Sequence, residues 1–198
     1  MPNTIDHIKR SLTGGGAPSS DFDLNPEITL PSGRILRSAA VLVPLIWQND
    51  EWHVILTMRS SALKHHPGQI AFPGGKQDDG DSTLIETALR EAEEEIGLPR
   101  ECVEILGSMA SHETVTGFVV TPIVGVLRTD FDVCPESGEV AEVFSVPLTF
   151  LADNKNFEIQ SRRWRGKRRY YYVVPYGPYY IWGATARMLR AFADTLAT

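Results

Sequence analysis

Ile5, Ile8 and Leu12 recur at spacings of three and four, which predicts a short amphipathic helix over residues 1–12. Gly14 to Ser20 is small and polar and predicts a flexible connection. Residues 21–38, with turn signals at Pro26 and at Pro31-Ser32-Gly33, predict an irregular arm. The apolar run 39–47 predicts a buried strand, and 53–59 its hairpin partner across the polar turn Gln48 to Glu51. Residues 60–81 have no period and are rich in Gly, Pro and Asp; they predict a long loop, and long loops in compact domains usually carry function.

Periodicity returns after residue 81. Ile85, Ala88, Leu89, Ala92 and Ile96 fall on one narrow face of a helix. Thr83 and Glu86 fit a capping box at its start; Gly97 fits a left-handed end, and Pro99 blocks continuation. Strand-like runs follow at 103–110, 118–128 and 140–146, then a hairpin over 157–174 turning at Arg165-Gly166-Lys167, then a second helix from Gly183 to Leu196. There is no internal repeat. This order predicts an α/β fold, a mixed central sheet with helices on its faces. Residues 1–36 are read as an N-terminal arm and 37–198 as the domain proper.

A chain of 198 residues with 42% hydrophobic and 22% charged residues suits one globular domain. A net charge of -6 argues against sequence-independent binding to nucleic acid, though not against a small anionic substrate in a locally positive site. Two cysteines, Cys102 and Cys134, form no disulfide framework, which fits a reducing compartment. No apolar run approaches the roughly 18 residues of a membrane span, and the N-terminus lacks a secretory pattern. A cytoplasmic protein without a membrane partner is expected.

The chemistry concentrates in the first long helix. Glu91, Glu94 and Glu95 crowd within one turn, with Glu91 and Glu95 on one flank and Glu93 on the other. Like charges at this spacing each cost a few tenths of a kcal/mol, about 0.2–0.5, and they lie toward the helix end that disfavours anions. A divalent cation would reverse the sign, and Mg²⁺ takes hard oxygen ligands together with phosphate oxygens. Gly74 and Gly75 just upstream let backbone approach a ligand closely.

Gly75 through Leu98 resembles the Nudix box, the signature of hydrolases that cleave a nucleoside diphosphate linked to another moiety. Arg90, Glu91, Glu94, Glu95, Gly97 and Leu98 match in register, and Gly75 stands for the first glycine. The intervening loop is one residue longer than the pattern, and Asp81 or Ser82 stands where a glutamate belongs. The resemblance implies a Nudix α/β/α sandwich. It implies Mg²⁺ or Mn²⁺ held by Glu91, Glu94 and Glu95 with the Gly75 carbonyl. Glu94, Glu95 and Arg90 are then catalytic, with Arg90 orienting a glutamate. A later loop often supplies the base in such enzymes, which makes Glu139 and Glu142 the candidates.

Upstream, Leu56-Thr57-Met58-Arg59-Ser60 and Gly68-Gln69-Ile70-Ala71-Phe72-Pro73-Gly74-Gly75 resemble a second signature, that of coenzyme A pyrophosphatases. Lys64 replaces an arginine there, keeping charge but losing the planar fork. The resemblance implies coenzyme A or its thioesters as substrate, with Arg59, Lys64, Gly74 and Gly75 as contacts. ADP-ribose, a dinucleotide or a modified nucleotide stays open as the substrate, as does a non-catalytic module that binds a ligand or RNA. His65-His66 lies in the same loop. The dense basic run 162–169, with Trp164 and Tyr170 to Tyr172, reads either as a solvated hairpin at a homodimer contact or as a single-strand RNA platform; the hairpin is preferred. Trp182, before the last helix, is read as core packing.

Overall fold

A computed structural model describes residues 2–14, 16–30, 33–164 and 166–197. The expectations that fall on Gly15, on Pro31-Ser32 and on Arg165 lie outside these residues. Among the described residues, nine strands form one mixed sheet. Its spine is β2 (Arg37–Gln48) paired parallel with β8 (Phe118–Leu127) and antiparallel with β3 (Glu51–Arg59). The two-residue turn between β2 and β3 uses Asn49 and Asp50, both at positive φ (50° and 62°), the backbone a tight hairpin requires. β9 (Val140–Pro147) adds beyond β3, and β6 (Val103–Ser108) and β7 (His112–Glu113) add to β8.

Between Ala39 and Trp47 β2 is apolar because both its faces are covered there. Ala40 and Leu42 face α2 (Leu84–Ile96) and pack with Ala88, Ala92 and Ile96. Ala39, Val43 and Leu45 face the other way, toward α1 (Pro2–Thr13) and α4 (Ala184–Leu196). α3 (Leu148–Ala152) closes that second layer through Leu148 and Leu151. A separate sheet of β10 (Glu158–Trp164), β11 (Lys167–Tyr176) and β12 (Tyr179–Trp182) leans on it with Val174 and Ile181. The sandwich has α2 alone on one face.

Three expectations change. The 60–81 segment contains β4 (Ile70–Ala71), paired with β3, and β5 (Gly74–Lys76), paired with β2. Ser19–Ser20 is a strand, β1, parallel to β7, and not a loose connection. Ile85 is 40% exposed, while Thr87 and Glu95 are buried. The buried face of α2 is therefore rotated toward its glutamates.

The arm from Ser19 onward is fastened at two points. Both ring nitrogens of buried His112 are engaged, Nδ1 with Ser19 Oγ at 2.9 Å and Nε2 with Asp21 Oδ1 at 3.2 Å. Buried Asn25 donates from Nδ2 to the Tyr170 carbonyl at 2.9 Å and accepts from the Tyr170 N–H at 2.8 Å. Asn25→Ala removes both bonds and leaves their backbone partners unmatched. It should cost about 1–3 kcal/mol, read in urea unfolding as a lower midpoint with an unchanged slope. No shift in midpoint would show that the arm is not anchored here.

Candidate active site

α2 starts where Thr83 Oγ1 accepts the Glu86 N–H at 3.1 Å, and Glu86 Oε2 accepts the Ser82 N–H at 2.7 Å. It stops at Gly97, whose φ of 70° suits glycine. Between these ends the helix lies against β5. A side chain at Gly74 would put its Cβ 2.5 Å from the Ala40 carbonyl oxygen, so only glycine allows β5 to pair this closely with β2. A Cβ at Gly75 would stand 2.5 Å from the Glu91 carboxylate. The Gly-Gly pair therefore makes room for backbone on one side and for a carboxylate on the other.

The glutamates do not share one environment. Glu95 is only 5% exposed. Its Oε2 accepts the Gly74 N–H at 3.2 Å, and its Oε1 lies 4.0 Å from Arg59 Nη1. Burial pushes its carboxyl up to about 7 against these two partners, with the Glu91 and Glu139 charges adding to the rise. Burial likewise pushes Glu91 up, opposed by Arg90 and assisted by Glu94 and Glu139. Glu94, with a side chain 61% exposed, turns out to Arg90 Nη1 at 3.0 Å.

Arg90 ties the group together. Its Nε donates to Asp81 Oδ1 at 3.0 Å and its Nη2 to Asp81 Oδ2 at 2.9 Å, while Nη1 stands 3.0 Å from Glu91 Oε1. Asp81 also accepts from the Asp78 N–H and from Thr87 Oγ1, each at 3.0 Å. Of the two residues at the irregular position of the motif, Asp81 is the one that engages Arg90. The Arg90 guanidinium holds Asp81 well below the usual carboxylate range.

Glu139 belongs to this group and Glu142 does not. The Glu136 N–H donates to the Glu95 carbonyl at 2.9 Å, and the Ser60 N–H donates to the Glu139 carbonyl at 2.7 Å. The loop before β9 is thus folded back over the end of α2, where the Glu139 charge acts on both Glu91 and Glu95. Glu142 instead accepts from Tyr179 Oη at 2.6 Å.

Arg59 ends β3 where the register with β9 slips between Met58 and Arg59. Such irregularities re-aim a side chain. The Arg59 Nε is buried without a partner, and the residue lines a cavity of about 300 Å³. The cavity's other walls come from the arm (Asp21, Asn25), from Gln69, and from Arg162, Arg169, Tyr171 and Trp182. Trp182 is thus half-buried at a cavity wall and not in the core, and the basic hairpin contributes Arg162 and Arg169 to the same cavity's lining. His66 also lines this space; Lys64 is exposed and has no partner among the described residues. The placement of these arginines is readable from the hairpin alone, since pairing Trp164 with Lys167 sets Arg162 opposite Arg169.

A model of the NUDIX domain matches residues 36–165. The chain belongs to the Nudix hydrolase family. A protein of Enterobacter sp. (strain 638) described as "Uncharacterized Nudix hydrolase NudL" is 41% identical over 157 residues, covering 79% of this chain and 81% of the relative. The crystal structure of the Nudix hydrolase RenU from M. smegmatis is 25% identical with a TM-score of 0.50, covering 59% of this chain and 74% of that one. A MutT/nudix family protein from Enterococcus faecalis has a TM-score of 0.51 at 16% identity, over 87% of this chain and 67% of its own, a likeness of fold.

Nudix hydrolases generally use divalent metal ions and act on small nucleoside diphosphate compounds. The residues of this Nudix chain fit such an ion by their chemistry. Two partly buried carboxylates, Glu91 and Glu95, are hard oxygen donors whose charge is unfavourable without a counterion, and the absent Cβ of Gly75 leaves the Glu91 carboxylate uncovered. Among the described residues no three His, Cys, Asp or Glu side chains are already arranged as a metal cage. Arg90 Nη1 bridges Glu91 and Glu94, 3.0 Å from each. No helix among the described residues is long and apolar enough to cross a membrane.

The two perturbed carboxyls act on different parts of the pH–stability curve. Asp81 is lowered from 3.8, so it stabilises above its unfolded range and that contribution is lost as pH falls through it. Glu95 is raised from 4.5 to about 7, so its contribution is full below 4.5 and is lost as pH climbs to about 7. With a chelator present, Glu95→Gln should flatten the decline between these values, which is worth ~3 kcal/mol. Asp81→Asn should flatten only the acid limb. Denaturant titrations at each pH that move together for both variants would contradict this division.

Proposed function

We propose that this Nudix hydrolase cleaves the diphosphate of coenzyme A or its thioesters, giving 4′-phosphopantetheine or its acyl derivative and adenosine 3′,5′-bisphosphate. The observation that carries the reading is Arg59. The arginine of the second signature spans from the buried Glu95 to a cavity of ligand size that holds two further arginines. A substrate with a diphosphate at Arg59 and a nucleotide beyond it matches that layout.

In this reading Glu91, Glu94 and Glu95, with the Gly75 carbonyl, hold Mg²⁺ or Mn²⁺. The bound cation supplies charge neutralisation of the diphosphate and lowers the pKa of a nearby water. Arg90 positions Glu91 and Glu94, an assignment supported by its 3.0 Å approach to each. Glu139 takes the proton of the attacking water, supported by its electrostatic reach to Glu91 and Glu95. The water oxygen bonds to phosphorus as the bridging P–O bond breaks. Gly74 holds Glu95 through its N–H and gives the diphosphate backbone access. Lys64, exposed in the loop after β3, offers the substrate a further positive charge. The place of Arg162 and Arg169 in the lining of this cavity favours a small anion over an RNA strand. Residues 37–198 carry the chemistry and the arm supplies one wall. Two free cysteines fit a cytoplasmic setting.

The test is a panel of coenzyme A, ADP-ribose, NADH and nucleoside triphosphates with Mg²⁺ or Mn²⁺, products identified by mass. Coenzyme A should give the two named products, with none in excess chelator. Outright preference for ADP-ribose would reassign the substrate. Glu95→Gln should lower turnover at least about tenfold, or ~1.4 kcal/mol in barrier. Arg59→Ala should lower kcat/KM about ten- to a hundredfold. Near-normal turnover of either variant at saturating metal removes that residue from the site.

A further inference from the structure

Gln69 stands just before β4, and its backbone is fixed. Its N–H donates to the His66 carbonyl at 3.2 Å, and its carbonyl accepts the Arg59 N–H at 3.0 Å. The neighbouring Gly68 N–H donates to the Arg59 carbonyl at 3.0 Å. Its side-chain amide, by contrast, has no hydrogen-bond partner among the described residues. The residue is half-buried and lines the same cavity as Arg59. A primary amide carries a donor and an acceptor side by side, and here neither is used within the fold.

The amide reaches the corner where β12 passes into α4. Its Nε2 lies 3.8 Å from the point a Cβ would occupy on Gly183. Apart from Gly183's chain neighbours, no other described heavy atom lies within 4 Å of that point, so the space beside the amide is open. The two sides of this corner are fastened together: Thr185 Oγ1 donates to the Ile70 carbonyl at 3.0 Å, a buried bond between the start of α4 and β4. Tyr171 and Trp182 line the same cavity, their rings edge to face with centroids 5.5 Å apart. An amide with both functions free thus shares a cavity with two aromatic rings, on a frame set by backbone bonds. A flat heteroaromatic with a donor beside an acceptor on one edge fits this arrangement. Adenine has that edge, and glutamine pairs with it through two bonds. The rings offer it a stacking surface.

We propose that Gln69 is a specificity-determining residue that reads the base of the nucleotide half of the substrate. Its amide oxygen accepts from the adenine 6-amino group, and its Nε2 donates to N7. The inference rests on the coenzyme A reading and deepens it: the site selects a 6-aminopurine over a 6-oxopurine, in which an acceptor replaces the donor at position 6.

The test pairs binding with turnover in the full chain. Calorimetry in chelator compares adenosine 5′-monophosphate with inosine 5′-monophosphate, which differ at position 6 and in the N1 proton. Wild type should bind the adenosine nucleotide at least about fivefold tighter. Gln69→Ala should lose that preference, while its melting temperature stays unchanged because the side chain bonds to nothing in the fold. Gln69→Glu keeps the acceptor for the amino group and loses the donor to N7. It should bind adenosine 5′-monophosphate more weakly than wild type yet still prefer it to the inosine nucleotide, an outcome a merely structural role would not produce. In turnover Gln69→Ala should raise KM for coenzyme A with a nearly constant kcat. Equal affinity of wild type for the two nucleotides, binding of neither, or a preference that survives in Gln69→Ala overturns the assignment. If the preference behaves as expected but coenzyme A is not hydrolysed, the substrate reading fails and the base site stands. If coenzyme A is hydrolysed and the preference is absent, the reading stands and the base site fails.

Discussion

Arg90 donates to Asp81 through Nε and Nη2 while its Nη1 stands 3.0 Å from both Glu91 and Glu94. One guanidinium thus joins the loop before α2 to two carboxylates one turn apart on it. Those carboxylates repel one another, and they occupy the half of the helix whose dipole disfavours anions. Arg90 holds Glu91 beside Gly75, and Glu91 in turn leaves no space for a side chain at that glycine. The placement of β5, and with it the Gly74 N–H that holds Glu95, follows from the same pair.

The carboxylates and the arginines are matched problems of opposite sign. At α2 several acids are forced together by a rigid helical turn. At the small sheet two bases are forced together by strand register. Arg59 stands between them, 4.0 Å from the buried acid and lining the cavity that the bases share. Folding tolerates both because each like-charge pair costs only a fraction of the free energy gained from the two apolar layers around β2.

The chemistry-bearing helix was legible because its signals are local. Thr83, Gly97 and the spacing of Ala88, Ala92 and Ile96 fix its ends and its packing face, and the motif fixes the carboxylates. Ile85 misled the reading of that face because apolarity along a helix does not report which neighbours are present. The sheet of β10 to β12 was half legible: its hairpin register follows from the turn, but which face turns inward depends on contacts with α4 and the arm. Trp182 resembled core for the same reason, since its position next to a helix start is compatible with either side. β1 and β4 were invisible. Two-residue strands form only because a distant partner offers backbone groups, as β7 does for Ser19–Ser20. The capture of Asn25 by Tyr170 has no sequence signal at all.

The family match ends at residue 165, yet Arg169, Tyr171 and Trp182 lie beyond it, and Asp21 and Asn25 lie before it. The stretch matched by the family model holds the carboxylates of α2; much of the cavity wall is built from residues outside it. Selection can then alter the wall without disturbing the helix that carries the family motif. Two proteins alike across that shared stretch inherit one reaction and can diverge in what they consume. A functional label transferred on the strength of that stretch carries the bond that is broken and leaves the identity of the molecule to be read from the flanks.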